Sequence, residues 1–64
     1  MKKIKFLKDM TYFDNDLNKD ITVWYKDIVY ETLQEDNELY TLFCEDMKIR
    51  KIEKKCKGEI FEEV

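Results

Sequence analysis

Sixty-four residues allow one small domain, and no apolar run approaches the length needed to cross a membrane. A chain this short buries only about 60% of the surface it exposes when unfolded, so its core is small and its stability margin thin. The net charge of −3, the single glycine and the absence of histidine and serine exclude Ser-His and Cys-His nucleophile pairs and a glycine-rich phosphate loop.

The two cysteines, Cys44 and Cys56, cannot supply the four ligands of a structural zinc site without histidine. The start of the chain does not read as a signal peptide, because lysine and aspartate interrupt the apolar residues after Ile4. The expectation is a cytoplasmic protein with free thiols. Cys44 continues an apolar pattern. Cys56 lies among lysines, but without a partner spacing such as C-x-x-C it reads as an ordinary surface or edge cysteine.

In chain order, residues 3–13 begin with Ile4 and Phe6 alternating against Lys3 and Lys5, which favours a strand. The phase shifts after Leu7, as a bend or bulge near Lys8-Asp9 would cause. Residues 14–20 form a loop rich in Asp and Asn. Asp14, Asp16, Asn18 and Asp20 have the alternate spacing of a calcium-binding loop. Lys19, however, stands where such a loop needs glycine, and Tyr25 where it needs a bidentate glutamate, so a solvated acidic turn is the better reading.

Residues 21–26 are a strand of high propensity, with Ile21, Val23 and Tyr25 on one face and Thr22, Trp24 and Lys26 on the other. If the first face is core, Trp24 is exposed or half-covered and could anchor a partner; a curled sheet would instead cover it. Lys26-Asp27 is a tight turn. Residues 28–33 and 39–44 then flank the polar break 34–38, the signature of a β-hairpin with a short loop at Asp36-Asn37. Both faces of both strands carry apolar residues, which suits a sheet rolled up on itself and largely buried.

Residues 47–57 are ambiguous. Ile49, Ile52 and Cys56 have helical spacing with Asp46 as a cap, yet 48–50 also reads as a short strand running into a turn. Gly58 can supply a positive φ. Residues 59–64 offer a last short strand that clasps the first.

Charge is segregated along the chain. Lys2, Lys3, Lys5 and Lys8 open it; no basic residue falls between Glu31 and Asp46; and Lys48, Arg50, Lys51, Lys54, Lys55 and Lys57 follow. Such segments are expected to lie side by side when folded. Eleven lysines against one arginine, with no alanine or proline, fit the coding bias of a low-GC bacterium or one of its mobile elements.

A long bent first strand, a central hairpin and a short final strand resemble the small SH3-like barrels of low-GC bacteria and their phages. The expected fold is therefore mainly β: one domain over residues 1–64, an SH3-like barrel of about five short strands with one short helical turn near the C-terminus. The aromatic groove motif of the peptide-binding SH3 domains is not recognisable here.

The expected function is a non-catalytic protein-binding module, encoded by a mobile element and acting on a host protein as inhibitor or adaptor. Its partner-facing residues are Trp24, Tyr40, Glu35, Asp36 and Glu38. Two alternatives stay open. One is single-stranded or duplex nucleic-acid binding through Lys48, Arg50, Lys51, Lys54 and Lys55, with aromatics stacking on bases. The other is self-association as a structural protein. No cofactor, metal or membrane partner is expected, and the chain is a monomer or homodimer.

Overall fold

The structure, a computed structural model, describes residues 2–64. Seven strands form: β1 Lys3–Phe6, β2 Met10–Asp14, β3 Lys19–Trp24, β4 Val29–Glu35, β5 Leu39–Phe43, β6 Ile49–Glu53 and β7 Phe61–Glu63, with a single 3-10 turn at Lys54–Cys56 between β6 and β7. Five of them make one antiparallel sheet in the order β6-β5-β4-β1-β7, while β2 and β3 pair only with each other. Strand, projecting ribbon, three-stranded meander, 3-10 turn and a last strand returning beside the first make up a small half-barrel of five strands with a separate two-stranded ribbon. The fold is mainly β, as the alternation implies.

The expected single bent strand over 3–13 is two strands in different sheets. β1 ends at Phe6, and the Leu7 N–H donates to the Ile60 carbonyl at 2.8 Å, so the chain leaves the sheet before Met10. The bulge lies further on, between Met10 and Thr11, where β2 pairs with β3. The ribbon closes on a turn in which Asp14 Oδ1 accepts from the N–H groups of Asp16 and Leu17 at 2.9 and 3.1 Å, with Asn18 at φ 54°. Asp and Asn do here what their short polar side chains allow. Among the described residues no three carboxylates or cysteines converge as a metal site would require.

The central hairpin forms as the sequence indicates. Asp36 Oδ1 accepts from the N–H groups of Glu38 and Leu39, both at 2.8 Å, and turns β4 into β5. Residues 47–57 resolve as strand β6 followed by the 3-10 turn. Ile52 is buried opposite Tyr40, while Ile49 points outward opposite Phe43. A helix would leave β5 without its second neighbour, and β-sheet pairing overrides the weak helical spacing. Gly58 adopts φ 90°, and β7 then clasps β1 with Phe6 opposite Phe61.

Ile4, Phe6, Val23, Trp24, Tyr40, Leu42, Cys44, Ile52 and Phe61 form the core. Phe6 and Trp24 stack with ring centroids 4.8 Å apart at 10°, and Tyr30 meets Phe6 edge-on at 5.7 Å. Two bonds tie the ribbon to the sheet: the Glu45 N–H donates to the Val23 carbonyl at 2.9 Å, and Trp24 Nε1–H to the Phe43 carbonyl at 3.2 Å.

Candidate functional site

Two expected anchors are not on the surface. Trp24 is 0% exposed and Tyr40 2%, so neither can meet a partner in the folded chain. The curled sheet covers Trp24. A bulge in the β2–β3 pairing and the end of the strand let Val23 and Trp24 both turn inward, against strict alternation.

The acidic residues of the hairpin turn are mostly engaged. Asp36 serves the turn, and the two N–H bonds hold its carboxyl below the usual range. Glu35 pairs with Lys54 at 2.7 Å, which lowers its carboxyl as well. Glu38 lines an open depression of about 370 Å³ with Asn37, Glu53, Lys54 and Lys55. Within it Lys54 is held by Glu35 and Lys55 by Glu53, the latter at 3.0 Å. The structure therefore brings Glu35, Asp36, Glu38, Lys54 and Lys55 to one end of the sheet, where Glu35 is paired with Lys54, Lys55 with Glu53, and Asp36 is bound to the backbone of its turn.

The basic segment is likewise spent on internal pairs. Arg50 binds Asp46 at 2.8 Å, and Lys57 binds Glu63 at 3.0 Å. Lys48 and Lys51 have no ion pair among the described residues. Arg50 also lies over the Tyr12 ring, 4.8 Å from its centroid, pinning the ribbon to β6. Its guanidinium is held charged chiefly by Asp46 and then by Cys44, while burial pushes the Cys44 thiol up. Basic and acidic segments do lie side by side.

Glu63 joins both ends of the chain. Its carboxylate accepts from the Tyr40 hydroxyl and pairs with Lys57 and Lys2, the latter at 3.2 Å. These three partners, Tyr40 first, pull its pKa from 4.5 to about 2. A depressed carboxylate stabilises the fold fully above its unfolded pKa and less as pH falls through its folded one. Acid unfolding followed by circular dichroism should therefore show stability declining from about pH 4.5 toward pH 2. Glu63→Gln should flatten that slope; an unchanged slope would mean the clasp carries no linkage.

Several apolar side chains also stay exposed. On β5, Tyr40, Leu42 and Cys44 face inward, so alternation turns Phe43 outward. Phe43 is 42% exposed and pairs directly with Ile49, 61% exposed, on β6. Leu33 is exposed on β4 beside the bulge at Thr32/Gln34, as is Val29. Met47 completes the patch, 75% exposed in the turn before β6 at φ 70°. The apolar residues on both faces of the hairpin imply strands buried on both sides. Instead, one face is core and the other is open.

The chain is thus a small, mainly β domain with six internal ion pairs among the described residues and an outer sheet face that exposes Phe43 and Ile49. No protein-family model, curated protein or solved structure matches it. Among the described residues no helix is long and apolar enough to cross a membrane.

Proposed function

We propose that this chain is a non-catalytic protein-binding module and that its contact surface is the outer face of β4, β5 and β6, centred on Phe43 and Ile49. The observation that carries this reading is the adjacency of those two exposed side chains, with Leu33 exposed on β4 and Met47 exposed in the turn before β6. Contiguous exposed apolar groups with a polar rim are what protein partners cover. Met47 adds a second indication. It holds a left-handed backbone conformation that glycine would adopt with less strain, and it extends a flexible thioether outward. A mobile-element product that inhibits or adapts a host protein has this kind of chemistry: binding without a reaction.

Binding would proceed by desolvating Phe43 and Ile49 while Lys48, Lys51 and Glu31 remain at the rim to orient the approach. The nucleic-acid reading is weaker, because Arg50, Lys54 and Lys55 are already matched by Asp46, Glu35 and Glu53 respectively. Phosphate contacts need cations free to release counterions.

The test is affinity capture with immobilised chain, comparing wild type with Phe43→Asp/Ile49→Lys. Wild type should retain a protein in stoichiometric amount and the variant should lose at least about tenfold of it, the equivalent of one hot-spot contact. Equal retention by both, or duplex DNA bound tightly at low salt, would overturn the assignment.

A further inference from the structure

Resting on the protein-binding reading, we propose that the partner is a second copy of this chain, the β2–β3 ribbon of each copy docking on the 47–51 patch of the other. The ribbon is the less supported part of the fold. It pairs with no strand of the larger sheet, and a lone two-stranded hairpin is marginal in water. Its inner face is held by Tyr12, which meets Trp24 edge-on at 6.2 Å and lies under Arg50. Its outer face has no such support. Phe13, 57% exposed, stands there directly opposite Asp20, and Leu17, 58% exposed, caps the tip beside Asp16.

The ribbon thus offers apolar groups edged with carboxylates, and none of Asp14, Asp16 or Asp20 is in an ion pair among the described residues. The patch offers the complement: Met47, Ile49 and Phe43 exposed, edged by Lys48 and Lys51, the two unpaired cations of the basic segment. The ribbon also carries Lys19 opposite Asp14 and stays net acidic, while Lys48 and Lys51 have no acidic partner among the described residues. Between two copies, the acid-edged apolar ribbon and the base-edged apolar patch match in both polarity and sign. Each copy carries both surfaces, and the arrangement is the two-fold one, in which both ribbon–patch pairs form at once and the assembly closes as a dimer. It would also bury apolar surface for a chain whose own core is small.

Sedimentation equilibrium of the full chain, from micromolar to millimolar concentration, tests this with two charge-reversed variants, Asp16→Lys/Asp20→Lys and Lys48→Glu/Lys51→Glu. All four positions are exposed, and circular dichroism would verify that both variants fold. Wild type should dimerise. Each variant alone should associate at least about tenfold more weakly, because like charges then face each other. An equimolar mixture of the two should dimerise again, since each ribbon then meets a patch of opposite sign. A wild type that stays monomeric throughout, or variants that dimerise as tightly as wild type, would overturn the proposal. A monomeric wild type that still retains a different protein through Phe43 and Ile49 would sink self-pairing and leave the binding-module reading standing. Monomers that retain nothing would sink both.

Discussion

Trp24→Ala is expected to cost the chain more stability than any other single truncation, about 3–5 kcal/mol. Trp24 is fully buried, stacks on Phe6, meets Tyr12 edge-on and donates to the Phe43 carbonyl. Truncating a buried tryptophan costs about 3–5 kcal/mol, whereas a domain of this size has about 3–10 kcal/mol in total. The loss takes a large part of that margin. It also removes the side chain through which the ribbon is packed onto the sheet, so the damage spans both. Urea unfolding followed by far-ultraviolet circular dichroism would measure it, since the fluorophore itself is deleted. Trp24→Phe, which keeps the stacking and loses the donor, should fall between wild type and alanine. A midpoint for Trp24→Ala equal to that of wild type would show that the stack is not the centre of the core.

Phe61→Ala should have the next largest effect, again about 3–5 kcal/mol, for a reason that adds topology to packing. β7 is three residues long, and Phe61 is its only fully buried side chain. Phe61 packs on Phe6 with centroids 6.2 Å apart and on Tyr40 at 5.9 Å. Without it, nothing apolar holds β7 against β1, and Glu63 loses the fixed position in which Tyr40, Lys2 and Lys57 reach it. The variant should therefore lose not only stability but also the wild-type decline between about pH 4.5 and pH 2. A double-mutant cycle with Glu63→Gln would then show strong coupling between the two positions. Independent, additive effects would mean that the clasp holds without its aromatic anchor.

The parts of this fold that can be read from the sequence are those encoded locally. Asp36-Asn37 between two β-branched and aromatic runs specifies a hairpin because its carboxylate can bond the backbone just beyond it. Gly58 marks a positive φ because other residues resist one. The closing strand follows from its short apolar pattern. Trp24 is different. Its burial depends on Phe6, Tyr12 and Phe43 arriving from three other strands, and strict alternation along β3 places it on the wrong side. The break between β1 and β2 is hidden for a related reason: the strand propensity of residues 3–13 is continuous, while their pairing partners differ.

The charge segregation is legible, and so is the side-by-side placing of its segments; the individual partners are not. Pairs such as Lys54 with Glu35 and Lys57 with Glu63 convert an apparent basic surface into internal neutralisation. The exposed apolar face is visible in the sequence only as an ambiguity. Apolar residues on both faces of the hairpin can mean a strand buried on both sides or one with an exposed binding face, and only the register of Phe43 opposite Ile49 separates the two.

The most direct measurement places a photo-crosslinking amino acid at Phe43 in one variant and at Asn37, on the rim of the charged depression, in another. Both positions are exposed. Crosslinking from position 43 to a protein, a second copy included, with none from position 37, is the result expected. Crosslinking from position 37 alone, or from neither, would contradict the assignment of the outer sheet face as the contact surface.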